Sequence, residues 1–202
     1  MAPVEFPEAL FERVHSGNCV LCTGVRLASA AGMPDWPTLI DKMKARAGAD
    51  GEDLDALVEA GKLLTVAGYL KRKLGPDACA EVLAEAYAAG DGDLPETHAI
   101  LGELPFHAAL STAYDGLVER ALGTNGEAPR VYTYADGAVL RLAEELQHYV
   151  LKAHGDVGHR EELGNRLVLS RLDYKRLIGP NQAFRAFVED LYRTHTLLLV
   201  GY

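Results

Sequence analysis

The chain has 202 residues, 49% hydrophobic and 24% charged, with 20 Lys and Arg against 29 Asp and Glu for a formal net charge of -9. That size and apolar fraction suit one globular domain with a sizeable core, while the acidic balance argues against a surface built for nucleic acid or anionic lipid and leaves room for a local basic cleft around one phosphorylated ligand. Three cysteines, no apolar stretch of about 20 residues and no signal-like N-terminus point to a cytoplasmic protein without membrane contact.

The first expected strand covers 18–22, "NCVLC". Cys19 and Cys22 have the spacing of a metal-binding pair, but residues three apart on a strand face opposite ways. Cys79 stands alone in a helical pattern, so no zinc site is expected. The strand runs into "CTGVRLASAAGMPDW", a glycine turn followed by a short helix of small residues. Such a turn lets backbone N–H groups and a helix dipole approach a phosphate, although a plain tight turn reads from the same residues. Arg26, two residues past Gly24, is a candidate phosphate partner.

From about 37 to 103 the apolar spacing is helical throughout, as in Leu63, Val66 and Leu70, with no strand interrupting it. This predicts a helical lobe inserted after the first βα unit, with loops at "GADGED" (47–52) and "GDGD" (90–93). Strand patterns return at 107–111, 130–134, 148–153, 166–169 and 196–201. Between them lie the helical stretches "YDGLVERAL", "GAVLRLAEEL" and "RLDYKRLI", the last opened by Ser170 and Asp173 at capping-box spacing. Phe184, Phe187, Val188 and Leu191 mark one face of a final helix leading into "TLLLVGY". The alternation predicts an α/β fold with a doubly wound, mostly parallel sheet and an inserted helical lobe. An apolar last strand is normally covered by a further helix, so the C-terminal end of the fold is expected to be truncated.

In such sheets ligands sit outside the carboxyl ends of the strands, here "CTG", "STAYD", "AHGD" and "VGY". His154, in "KAHGD", is either a turn residue with a buried ring or a base held at the edge of a pocket. His15, His98, His107, His148, His159 and His195 have no partner pattern.

Five segments, "VLCTGVRLASAAGMPDWPTLI", "LSTAYDGLVERAL", "YVLKAHGDV", "LVLSRLDYKRLI" and "LLLVGY", stand in the order and spacing of bacterial sirtuin-like domains. The resemblance spans about 16–202 and points to the NAD-hydrolase effector branch, implying one Rossmann-like NAD-binding domain over 1–202 with the 37–103 insertion. It implies His154 as the base at the nicotinamide ribose. It places Ala113 and Asp115 at the asparagine and aspartate that hold the ribose and the attacking water. Cys22, Thr23 and Gly24 fall at the pyrophosphate turn, and Arg26, Pro34, Trp36, Thr112 and Gly201 complete the implied NAD-binding set. NAD+ is then a substrate, cleaved at its nicotinamide N-glycosidic bond, with no metal.

Cys22, Arg26 and Ala113 depart from the family's glycine, serine and asparagine. Alanine cannot orient the ribose or water, so the chain carries either an introduced inactivating replacement or a natural loss of turnover. Deacylating sirtuins usually carry a four-cysteine zinc module, which is missing here, so water is the expected acceptor. The resemblance implies an NAD-depleting effector in bacterial antiphage defence, with a protein partner or fused sensor module and assembly into a homo-oligomer or larger complex. The alternatives are a silent sensor of NAD or ADP-ribose and, further off, an NAD-dependent protein deacylase.

Overall fold

The computed structural model describes residues 5–49, 51–88, 92–124, 126–137, 148–158, 166–179 and 182–202. Most of the expected helix "GAVLRLAEEL", part of the "GDGD" loop and His159 lie outside these residues. Five strands, β1 (Cys19–Thr23), β2 (Ala108–Ser111), β3 (Arg130–Thr133), β4 (Tyr149–Lys152) and β5 (Thr196–Val200), form one sheet in the order β3-β4-β2-β1-β5. Every neighbouring pair is parallel. From β1 the chain adds β2, skips to the far edge with β3, comes back with β4 between β3 and β2, and crosses to the other side of β1 with β5, which puts a reversal of strand order beside β1.

Strand alternation divides the core between two faces. Val20 and Cys22, with Ala108, Tyr149 and Leu151, pack on Leu177 of α8 (Arg171–Ile178) and on Phe184, Phe187 and Leu191 of α9 (Gln182–Thr194). Cys19 and Leu21, with Ala109 and Val150, pack on the other face against Val14 of α1 (Glu8–His15), Leu27 of α2 (Val25–Ala30), Leu101 of α6 (Glu96–Gly102), and Val118 and Leu122 of α7 (Leu117–Leu122). Cys19 and Cys22 therefore sit on opposite faces, and burial first of all pushes the Cys22 thiol up to about 11, which makes it an inert core residue.

The lobe is helical, as its periodicity predicts: α3 (Trp36–Ala47), α4 (Glu52–Glu59) and α5 (Leu63–Ala86) precede α6. Leu39, Ile40 and Met43 of α3 interlock with Val66, Ala67, Leu70 and Leu83 of α5 in a core of their own. Helix α5 breaks at Gly75 (φ 78, ψ 172), directly before Pro76. Proline supplies no N–H and disfavours helix at the residue before it, so two helical segments meet there at an angle that the periodicity does not reveal.

One expected strand is absent. Residues 167–169 form no strand, yet Leu167, Val168 and Leu169 are buried, with Leu167 and Leu169 in the lobe's core. Their backbone groups are satisfied without a ladder: Lys71 Nζ donates to Leu167 O at 2.6 Å, Tyr114 OH to Val168 O at 2.6 Å, and Leu169 N–H to Asp173 Oδ2 at 3.1 Å. An apolar run reads as a strand in sequence, but side chains have taken the backbone pairing here. Among the described residues no helix is long and apolar enough to cross a membrane.

Candidate active site

Register aligns Thr133, Lys152, Ser111, Thr23 and Val200 across the carboxyl edge of the sheet, so the turns that follow β1, β2, β4 and β5 converge beyond it. After β1, Gly24 takes an extended conformation before α2 (φ -105, ψ 168). Its N–H donates to Val200 O at 2.9 Å, and the Arg26 N–H donates to Gly201 O at 3.0 Å. A Cβ at Gly24 would lie 2.3 Å from Gly201 O, and one at Gly201 (φ +76) would lie 2.5 Å from Leu27 N. Both glycines are thus required for two backbones to touch. The same contacts take two of the turn's amides, which reduces what the start of α2 can offer a phosphate.

The turn after β2 locks to this one. Thr112 donates to Thr23 O from its backbone at 3.0 Å and from its hydroxyl at 3.1 Å. Ala113 N–H donates to Ser111 Oγ at 3.2 Å, and Asp115 Oδ1 accepts Leu117 N–H at 3.0 Å at the start of α7. Asp115 is buried, and its second oxygen, Oδ2, has no partner among the described residues; Thr23 Oγ1 is in the same condition. Buried polar atoms of this kind are rare in folded proteins and call for a water or a ligand.

Behind Asp115 lies a buried ion pair. Lys152 is 0% exposed on β4; its ammonium donates to the Asp115 carbonyl and sits 2.8 Å from Glu119 Oε1 of α7. Burial raises the Glu119 carboxyl above its usual range despite the opposing pull of Lys152. Two residues further on, β4 delivers His154.

His154 is half-buried, and desolvation pulls its imidazole down to about 4 against the opposing effect of a backbone hydrogen bond at Thr112. The ring is therefore neutral at physiological pH and able to accept a proton. Tyr114 lies 6.3 Å from it, and Tyr174 meets it edge-on at 5.2 Å. Gly155 (φ +89) makes the turn beneath it, with a Cβ there 3.0 Å from Arg166 O. The peptide is held from the far side by the Val168 N–H, which donates to His154 O at 3.0 Å.

Pro34 and Trp36 arrive from the lobe. Asp35 caps α3 by accepting Thr38 N–H at 3.0 Å, and Tyr87 OH donates to Pro34 O at 3.2 Å while its ring meets that of Tyr114 at 5.3 Å, tilted by 51°. Trp36 and Tyr174 both line a cleft of about 340 Å³. Thr112, Ala113, Asp115, His154, Gly24 and Gly201 thus meet at one edge, and Pro34 and Trp36 border it. The Cys22 side chain lies in the sheet core, and that of Arg26 is exposed.

The sequence reading gave no role to Lys152, Tyr114, Tyr174, or the Lys71–Asp173 pair at 3.0 Å. Among them only Lys152 had a signal, being a lysine in phase with the inward residues of an apolar strand. Among the described residues there is no group of three or more His, Cys, Asp or Glu that could hold a metal ion.

A parallel sheet whose glycine turn, polar β2 turn and half-buried histidine gather at the reversal of strand order describes a Rossmann-like α/β domain, and the second half of the chain is similar to the sirtuin-like family. The SIR2-like domain family matches residues 107–202. Curated relatives include proteins named NAD(+) hydrolase ThsA: from Cytobacillus dafuensis, 29% identical over 199 residues (98% of this chain, 37% of the relative), and from Bacillus cereus (strain MSX-D12), 28% over 193 residues (95% and 38%). A third, from Enterococcus faecium, is 25% identical over 195 residues (95% and 38%). The chain spans 37 to 38% of the length of these relatives.

Proposed function

We propose that this chain is an NAD+ glycohydrolase domain with NAD+ as substrate, His154 as base and the Thr112–Asp115 turn as ribose cradle. The observation that carries the reading is the placement, just past the carboxyl ends of the neighbouring strands β2 and β4, of a buried Asp115 whose Oδ2 is unpartnered and of a neutral, half-buried His154. In the reaction, water adds to ribose C1′ while the C1′–N bond breaks. The bonding electron pair passes to the pyridinium nitrogen, and nicotinamide, ADP-ribose and one proton are released. His154 takes that proton from the attacking water, Asp115 Oδ2 accepts from a ribose hydroxyl, and the rings of Tyr114, Tyr174 and Trp36 keep bulk water away. Gly24, Thr23 and Cys22 form the floor on the pyrophosphate side, with Arg26, Thr112 and Gly201 around it.

Ala113 lacks the amide that the family resemblance expects. Removing one positioned polar group of this type costs on the order of a hundredfold to a thousandfold in rate, so turnover by this chain is slow or silent. The relatives' name supports the reaction. The family resemblance supports a wider role as an NAD-depleting effector in antiphage defence, acting in the cytoplasm within a homo-oligomer or larger complex and answering to a protein partner or fused sensor module. It supports no metal and no contact with nucleic acid or membrane.

The test is nicotinamide release by Ala113→Asn, with His154→Ala on that background. Cleavage that appears in the Ala113→Asn variant and disappears when His154 is also removed supports the hydrolase. NAD or ADP-ribose binding without cleavage in either background supports the second reading, a sensor, which Ala113 favours. Release that depends on an acyl-lysine peptide would instead indicate a deacylase.

A further inference from the structure

The cleft that Tyr174 shares with the surroundings of His154 carries two cations that the hydrolase reading does not use. Its walls are Trp36, the start of α5 (Lys62, Leu63 and Thr65) and the start of α8 (Arg171 and Tyr174), around about 340 Å³. That volume falls within the range of small-ligand pockets. Two cations and two aromatic rings line it, in a chain whose formal net charge is -9.

Neither cation is engaged in an ion pair among the described residues, and both are exposed. Glu59, three residues before Lys62, is exposed and forms an ion pair with neither cation, and the acids beside Arg171 and Trp36 in the chain are already committed. Asp173 is buried under the start of α8, where Ser170 and Leu169 N–H groups and Lys71 hold it. Those partners outweigh the burial that would raise it and keep its carboxyl below the usual range. Asp35 is bonded to the Thr38 amide. Lys62, the N-cap of α5, gives the first turn of that helix no side-chain acceptor, so its amides add positive potential to the same space. Meanwhile the amides of Gly24 and Arg26 in the glycine turn are taken by Val200 and Gly201.

We propose that this cleft is a binding subsite for a nucleotide, with Lys62 and Arg171 holding its phosphate and Trp36 and Tyr174 contacting its ring. Charge-assisted bonds from lysine and arginine hold phosphate oxygens, and flat aromatic faces accept a base. The ring of Tyr174 links the subsite to the site already described, since its edge lies against His154 at 5.2 Å. Two sources share this chemistry: the nucleotide half of a dinucleotide reaching toward His154, and a free nucleotide held as a separate ligand. The first source rests on the hydrolase reading and the second goes beyond it, and cleavage is not among the readouts.

Trp36 is the sole tryptophan of the chain, so its fluorescence reports on the cleft directly. The experiment titrates the protein with AMP and then with NAD, follows Trp36 emission, and checks uptake by equilibrium dialysis. It is repeated on Lys62→Glu/Arg171→Glu, two exposed positions, with circular dichroism confirming the fold. The expected result is a saturable change with AMP, weakened by about tenfold or more by the double reversal, as loss of charged hydrogen bonds predicts. Competition between NAD and AMP then assigns the subsite to the dinucleotide, and an AMP isotherm unmoved by NAD assigns it to a separate nucleotide. No fluorescence change and no AMP retention up to millimolar concentration, or an isotherm that the double reversal leaves unchanged, would overturn the proposal.

Discussion

Lys152→Met isolates the buried pair that connects the β4 strand, the β2 turn and helix α7. The ammonium is inaccessible, bonds to the Asp115 carbonyl, and lies 2.8 Å from a Glu119 carboxylate whose side chain is 14% exposed. Removing one member of such a pair leaves the other charge buried, at a cost of about 3–5 kcal/mol. Against a typical domain stability of about 5–15 kcal/mol, that is a large share. With a urea slope of about 2 kcal/mol per M, the denaturation midpoint falls by about 2 M. Burial already raises the Glu119 carboxyl even with Lys152 present, which means that the pair does not fully offset its desolvation. Replacing both partners, as Lys152→Met/Glu119→Leu, therefore recovers most of the loss. It leaves the Asp115 carbonyl without its donor, a residual cost of about 1–3 kcal/mol. Urea denaturation of the wild type, the single and the double variant reads all three values. A single variant within about 1 kcal/mol of wild type, or a double variant no better than the single, would show that the pair is not the tie described.

Two further outcomes come from the same edge of the sheet. Gly24→Ala puts a Cβ 2.3 Å from Gly201 O, so one of the backbones must move. The expected loss is about 1–3 kcal/mol, larger than for Gly51→Ala, where φ is -176 and a Cβ meets nothing within 4 Å; equal midpoints in urea would refute the contact. His154 gives a pH signature. Its folded pKa, about 4, lies below the ordinary value of about 6.5, so the unfolded chain binds more protons between the two. Its contribution to stability is whole above pH 6.5 and is lost as pH falls toward about 4, with a slope no steeper than about 1.36 kcal/mol per pH unit. His154→Gln removes that slope, and a variant retaining it would place the titration elsewhere.

The sheet was legible because parallel strands are buried on both faces and therefore read as short apolar runs between turns. "NCVLC", "HAALS", "HYVLK" and "TLLLVG" each became a strand within a residue or two of the expected bounds. The run "RLVLS" has the same signature and is not a strand, since what decided its fate lies far away in sequence. Lys71 and Tyr114 donate to its carbonyls, and its own side chains complete the lobe's core. Strand alternation separated Cys19 from Cys22, and the capping box at Ser170 and Asp173 formed as its spacing predicts. Less accessible were the roles of Tyr114, Tyr174 and Tyr87. Their positions around His154 depend on how the lobe docks on the sheet, and no local pattern encodes that.

Ala113 is the point at which fold and chemistry separate. Its N–H donates to Ser111 Oγ, its neighbour Thr112 makes two bonds to Thr23 O, and the Lys152 ammonium bonds the Asp115 carbonyl, so the turn is held through its backbone and by the hydroxyls and ammonium around it. None of those hydrogen bonds uses the side chain at 113, which is buried. The frame around it is therefore preserved whether or not the position carries an amide, and the polar atoms that such a frame serves, Thr23 Oγ1 and Asp115 Oδ2, remain buried and unpartnered. A fold with no further use for a polar ligand at this edge would be expected to lose those atoms, because each costs stability while unsatisfied. Their presence, beside a histidine that burial keeps neutral, is what a polar ligand at this edge would satisfy. On the proposed reading, Ala113 slows the chemistry that follows once the ligand is bound.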